Sequence, residues 1–399
     1  MLALRDFRLY WGALFLAGLI GGIVRFAFVW MAPEISDWKW APELLFFSVG
    51  MPGLLISLPA GAIADRVDRR KLVVAVSLFG VVVLLATAAI VEAGQLNLPV
   101  AMVMAFGIGS VVAVIIPALQ AMVPQLVSPQ RLMSAVGLQN MGQAVAQIAG
   151  AVVGGASIEF LGIGPAFGVW TVVMLGAAIL MWLVVLPPYE RAADGAATNL
   201  RTMLSDIRAG IGYAMGRDPL RSLIIIGVFM GIGMGTYGVL MPEIGRDELG
   251  QDAFATSILF AMLSVGMMVS SLYLASRTNI TRRGLMFLGA FNCFGPGLMA
   301  IGLSNSYPLT IGIMIIWGVC GGVLMTSQRT LLQTHTEPHM MGRVMSMFAL
   351  TFNGLLPLSA LYVALMRTHF SPGDTLAIMG TFMMVGAIYI ASRSQLRHM

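Results

Sequence analysis

The sequence predicts an all-α integral membrane protein, and its composition, its apolar spans and its charge distribution each support this class. Of the 399 residues, 58% are hydrophobic and only 10% are charged, whereas a soluble domain carries roughly 25% charged residues. A membrane-crossing helix needs about 20 mostly apolar residues. About twelve stretches of this kind follow one another, at 9–31, 43–63, 72–91, 98–122, 132–158, 165–186, 220–241, 254–275, 284–303, 308–332, 344–366 and 374–391.

The basic residues predict the orientation of these spans. With a cytoplasmic N-terminus, all but four of the 23 Lys and Arg residues fall on the cytoplasmic side. Lys39, Arg246 and Arg367 fall outside, and Arg25 lies within the first span. We therefore expect both termini in the cytoplasm. The net charge of +5 then reflects orientation and not a nucleic-acid partner.

The chain repeats itself at an offset of 212 residues, which predicts two six-helix halves related by a parallel repeat. Arg5-Asp6 returns as Arg217-Asp218, and Arg131 with the three residues after it returns at Arg343. We expect an N-terminal half at 1–187, a cytoplasmic linker at 188–218 and a C-terminal half at 219–399. Within the linker, apolar residues at helical spacing between Leu200 and Ile211 predict an amphipathic helix at the membrane surface.

A charged loop between the second and third spans carries the chain's most specific motif. It reads Gly-Ala-Ile-Ala-Asp-Arg-Val-Asp-Arg-Arg-Lys-Leu from Gly61 to Leu72. The loop resembles the signature of the major facilitator superfamily, and its Pro-Ala-Gly opening resembles the macrolide-efflux and enterobactin-export branch. The matching residues are Gly61, Asp65, Arg66, Arg69 and Arg70, and Asp68 stands where the family usually has glycine.

The resemblance implies a secondary transporter in a bacterial-type inner membrane that works by alternating access. It further implies export of an amphipathic organic compound by proton antiport, as a monomer among membrane lipids and without a cofactor. Asp65, Arg66 and Arg70 would form a conformational latch against the start of the eleventh helix; the alternative is that these charges only fix topology, which we favour for Arg69. An importer, a lipid- or metal-handling transporter and a transport-inactive receptor remain alternative functions. No catalytic motif is found, so an enzyme is not expected.

Uncharged polar residues inside the spans are candidates for a substrate cavity, because amides in lipid must face protein or water. They either bind substrate or join neighbouring helices. Four form a stripe in the fifth span, and the others lie in the fourth and tenth, which line the path in the family: Gln139, Asn140, Gln143 and Gln147, with Gln120 and Gln328.

Arg25 has two possible roles. At offset 212 it corresponds to Tyr237 in the seventh span, so the two residues would face each other across a cavity, where Arg25 attracts an anionic group. Alternatively, Arg25 extends to the interface and pairs with Glu34 or Glu159. With no central carboxylate in any span, Glu159 is the proton-coupling candidate, although it lies close to the outer end.

Two further patterns concern packing and metals. Gly150, Gly154 and Gly155 resemble an antiporter motif, with Ala151 in place of its proline; close helix packing explains them equally well. Met230 and Met234 share one face of the seventh span, and thioethers bind Cu(I). With four scattered histidines, we interpret the 31 methionines as adaptable apolar packing and expect no metal site.

Overall fold

The structure is a computed structural model that describes residues 4–56, 68–186, 208, 210–276, 283–337, 340–394 and 396. The described residues form helices joined by short turns and contain no β-strand. The main helices are α1 (Arg5–Trp30), α2 (Ala41–Leu55), α3 (Arg69–Glu92), α4 (Leu98–Gln120), α5 (Leu132–Leu161), α6 (Ile163–Leu183), α7 (Asp218–Glu243), α8 (Ala253–Ser276), α9 (Arg283–Gly302), α10 (Tyr307–His335), α11a (Met341–Ala349), α11b (Leu355–Met366) and α12 (Pro372–Arg393).

Ten helices of the described part are long and apolar enough to cross a membrane, which confirms the predicted class. The predicted spans 43–63 and 344–366 correspond to shorter apolar helices, α2 and α11b. The second half of the first of these spans lies outside the described residues. In the other, α11a continues into α11b through a π-helical turn, Leu350–Gly354.

Helix contacts divide the chain into two units. The first comprises Met1–Ala197 with Ala253–Ser257, and the second comprises Thr198–Asp252 with Ile258–Met399. In the first unit α1 packs on α5, α2 on α4, and α3 on α6. In the second, α7 packs on α11b, α8 on α10, and α9 on α12. The same pairing scheme therefore occurs in each unit, displaced by six helices. The predicted linker helix falls largely outside the described residues.

Glycine allows α1 and α5 to touch along their backbones. A Cβ atom added to Gly22 would lie 2.4 Å from the Gln147 carbonyl oxygen, and one added to Gly150 would lie 2.3 Å from the Leu19 carbonyl oxygen. Both distances are far inside van der Waals contact, so neither position has room for a side chain. Lipid tails are as apolar as leucine, so such close packing, and not the hydrophobic effect, holds membrane helices together.

Helix backbones also approach each other closely at glycine in the second unit. A Cβ atom on Gly266 of α8 would meet the Ile315 carbonyl oxygen of α10 at 2.2 Å, and one on Gly318 would meet the Leu263 carbonyl oxygen at 2.1 Å. Between α9 and α12, added Cβ atoms on Gly302 and Gly373 would each lie 2.3 Å from the other's carbonyl oxygen. Small residues thus bring together the paired helices of both units.

Asp68, the residue at which this chain departs from the family signature, lies immediately before α3. The Asp68 carboxylate accepts the backbone N–H of Arg70 at 2.9 Å and that of Lys71 at 3.3 Å. These amides lack partners within the helix because they lie in its first turn. Asp68 is therefore the N-cap of α3, a role that glycine fills only weakly.

We predict that Gly150→Val strongly lowers the thermal stability of the protein in detergent, because the new side chain must push α1 away from α5. Overpacking alone costs about 1–3 kcal/mol, and here the obstacle is backbone. Gly168→Val is the matched control, because an added Cβ there has no atom within 4 Å. Equal melting curves for the two variants, recorded by size-exclusion fluorescence, would contradict the packing role.

A second prediction concerns the cap of α3. Asp68→Ala should cost about 1 kcal/mol through loss of the N-cap and should speed hydrogen exchange of the amides of Arg70 and Lys71. Asp68→Ser keeps a capping oxygen without the charge and should exchange like the parent. If the serine variant exchanges as fast as the alanine variant, the negative charge and not the cap stabilises this helix start.

Candidate functional site

Arg25 is an exposed residue within a buried stretch of α1. All residues from Gly22 to Ala32 except Arg25 are buried in the unit, and Arg25 alone has an accessible side chain. Among the described residues, no carboxylate lies within the 4.0 Å that defines an ion pair with Arg25. The expected pairing with Glu34 or Glu159 is therefore not formed in this structure.

Two aromatic side chains lie on the same side of α1 as Arg25. Trp11 and Phe15 are half-buried, and their rings stack with centroids 5.5 Å apart. The Trp11 indole N–H donates to the Leu138 carbonyl oxygen of α5 at 3.0 Å, which fixes the ring. This side of α1 therefore combines one cation with an ordered aromatic surface.

The structure brings together two of the predicted cavity glutamines. Gln120 of α4 donates from Nε2 to Oε1 of Gln143 in α5 at 3.1 Å, and both keep accessible surface. Gln139 is only 3% exposed, and its Nε2 has no hydrogen-bond partner in the described part of the chain. Asn140 is exposed. These amides form a polar cluster in the first unit.

The remaining amides differ from this cluster. Gln147 is exposed on α5. Gln328 is 1% exposed, and its Nε2 donates to the Leu223 carbonyl oxygen at 2.7 Å, which ties α10 to α7. Of the two roles considered for the polar residues, Gln328 has the contacts of a residue that joins helices.

A soft apolar cavity lies within the second unit. Its walls come from four helices, α7 to α10. Met230 and Met234 were identified from the sequence, but Met267 and Met325 were not. A single sequence does not show that α7, α8 and α10 converge at these residues. The lining residues are Met230, Met234, Leu263, Met267, Phe294, Gly321 and Met325.

Tyr237 lies one helical turn beyond Met234. It is 2% exposed and packs against Phe260 and Trp317, with ring centroids 5.2 and 5.0 Å away. Its hydroxyl has no hydrogen-bond partner among the described residues, although buried hydroxyls usually have one. Tyr237 thus adds one unsatisfied polar atom to an aromatic cluster beside the methionine cavity.

The structure buries acids that sequence reasoning missed. Glu43, in the first turn of α2, is 2% exposed, and Glu243, at the end of α7, forms a buried ion pair with Arg367. Each stands at the edge of a predicted span, where an acid is easily assigned to a loop. Glu159 has an exposed side chain that accepts the Ala253 N–H at 3.2 Å within the first unit.

The signature loop is described only at its C-terminal end, since Gly61, Asp65 and Arg66 lie outside the described residues. Arg69 donates to the Ala121 carbonyl oxygen at 2.7 Å, and Arg70 donates to the Trp182 carbonyl oxygen. These carbonyls lie at the C-terminal ends of α4 and α6, where the helix dipole is negative. Both arginines therefore tie the start of α3 to neighbouring helix ends, a contact beyond topology alone.

Known proteins similar to this chain are membrane transporters. The chain is 21% identical over 359 residues to macrolide efflux protein A of Streptococcus pyogenes, covering 87% of this chain and 85% of that protein. It is 20% identical to the uncharacterized MFS-type transporter YvqJ of Bacillus subtilis, over 69% of this chain and just under two thirds, 65%, of YvqJ.

A similar solved structure and a family profile also point to membrane transporters. A crystal structure of a mutant of the nucleoside transporter NupG superposes with a TM-score of 0.78 at 11% identity, over 97% of this chain and 99% of that one. The sequence profile of the Major Facilitator Superfamily matches residues 10–361, most of the chain. The protein is a member of the Major Facilitator Superfamily.

Proposed function

We propose that this protein is a secondary active transporter that exports an amphipathic organic compound by alternating access. Arg25 carries the proposal: an accessible cation, unpaired among the described residues, interrupts a buried stretch of a membrane helix. Such a charge is costly in an apolar setting unless it has a partner or water. A substrate with an anionic or strongly polar group supplies that partner through charge-assisted hydrogen bonds.

The methionine cavity of the second unit offers a surface for apolar groups of a substrate. Methionine side chains are flexible and polarizable, so they adapt to ligands of different shape and contact aromatic rings favourably. Four of the seven lining residues are methionine. The efflux relative from Streptococcus pyogenes supports outward movement of an organic molecule.

The family resemblance supports the wider arrangement that we propose. It comprises twelve spans, both termini in the cytoplasm of a bacterial inner membrane, a monomer, and a latch formed by Asp65, Arg66 and Arg70. The movement of one half against the other around a central site then gives alternating access.

Proton antiport requires a carboxylate that gains and loses a proton during the cycle. Glu43 is the most deeply buried acid of the described residues, at 2% exposure. We propose Glu43, in place of the exposed Glu159, as the residue through which protons drive export. An acid in the membrane region is a functional candidate by default, because burying its charge is costly.

A substrate screen in inverted membrane vesicles tests the function. Vesicles that contain the protein should accumulate an amphipathic organic anion when their interior is acidified, and vesicles without the protein should not. Accumulation that does not depend on the pH gradient would contradict proton antiport. Accumulation only in right-side-out vesicles would contradict export.

We predict that Arg25→Gln abolishes most transport of an anionic substrate and that Arg25→Lys loses part of it, because lysine lacks the planar fork of arginine. A neutral substrate of similar size should be less affected. Arg221→Gln is the control, since Arg221 is an exposed cation that pairs with Asp218 at 2.7 Å. Near-parental rates for both substrates in both Arg25 variants would leave Arg25 as a membrane anchor.

We predict that Glu43→Gln removes the response of transport to the pH gradient while substrate still equilibrates across the membrane. Glutamine keeps the shape of glutamate but cannot release a proton. Glu34→Gln is the matched control, because Glu34 is an exposed acid just beyond α1. Transport by the Glu43 variant that is still driven by a pH gradient would assign coupling to another group.

A further inference from the structure

The two cysteines of the chain lie opposite each other on neighbouring helices. The Trp317 indole N–H of α10 donates to the Phe294 carbonyl oxygen of α9 at 3.1 Å, which sets the register of the pair. The helices follow each other through a short turn and run antiparallel. Cys293 directly precedes Phe294, and Cys320 lies within one helical turn of Trp317, so the two cysteines lie on facing turns of the two helices.

The helices are close enough at this level for the thiols to meet. A Cβ atom added to Gly297 would lie 2.3 Å from Cδ1 of Trp317, so nothing separates α9 from α10 there. Phe294 and Gly321, the residues next in sequence to Cys293 and Cys320, line one cavity, and both thiols are free. A disulfide needs Cβ atoms roughly 3.5–4.5 Å apart, a spacing that cysteines on facing turns of two closely packed helices can reach.

The pair is accessible from one direction. Cys293 is exposed, and so are Leu285, Gly289 and Pro296 on the same side of α9. Cys293 lies near the middle of this apolar, membrane-crossing helix. A reagent that reaches it from this side must therefore dissolve in hydrocarbon.

We propose that Cys293 and Cys320 form a reversible oxidation site whose oxidant is a lipid-soluble quinone. Two S–H bonds break and one S–S bond forms, while the two electrons and two protons pass to the quinone and reduce it to the hydroquinone. Dithiol reductants reverse the step by thiol–disulfide exchange. Phe294 and Gly321, the residues next in sequence to the two cysteines, line the methionine cavity, so the bond ties two walls of that cavity together.

The experiment uses the full-length protein in liposomes and a fully substituted benzoquinone, which cannot add a thiol to its ring. After treatment, an uncharged maleimide should label neither cysteine, the mass should fall by two hydrogen atoms, and a dithiol reductant should restore both labels. Cys293→Ser and Cys320→Ser are the matched controls, and each should keep one labelled thiol throughout. Because transport is not measured, the result is independent of the proposed function.

Three results would overturn the proposal. The first is two labelled thiols after quinone treatment. The second is a disulfide formed with the hydrophilic oxidant diamide but not with the quinone, which would place the thiols in range and exclude the quinone as oxidant. The third is a disulfide between two chains, seen as a reducible dimer on a denaturing gel.

Discussion

The close approach of helix backbones at glycine is the contact on which the rest of this structure depends. In lipid there is no hydrophobic gain in bringing two apolar helices together, so association relies on packing at short range. Gly22 and Gly150 provide it between α1 and α5, and Gly266 and Gly318 provide it between α8 and α10. The polar side chains then have fixed positions: Gln143 is held beside Gln120, and Arg25 stands on a helix that cannot rotate against its neighbour.

Each of the two units presents its own chemistry. The first unit presents a cation, a fixed aromatic surface and a pair of hydrogen-bonded glutamines. The second presents thioethers around an apolar cavity, beside the unsatisfied hydroxyl of Tyr237. The first set of groups suits a polar or anionic group and the second suits an apolar one, and an amphipathic molecule carries both kinds of group.

Composition and periodicity were sufficient to predict the membrane class and most of the spans, because a bilayer demands long apolar helices and excludes charge. The signature loop and the repeat predicted the family. Two details could be seen only in the structure. One is the convergence of four methionines from three helices, and the other is the burial of Glu43 and Glu243 at the edges of predicted spans. Gln328 was predicted from its polarity either to bind substrate or to join helices, and its hydrogen bond to the Leu223 carbonyl oxygen joins α10 to α7. Polarity alone does not tell a ligand contact from a helix contact.

In the mechanism that we propose, each glycine-packed unit moves as one body when substrate and protons are exchanged. Spin-label distances measured with and without substrate test it directly. Two labels within the first unit, on α1 and α5, should keep one distance under all conditions, and so should two labels on α9 and α12. A label in the first unit and a label in the second should change their separation when substrate is added. If substrate changed a distance within one unit while the distances between the units stayed constant, the units would not move as rigid bodies.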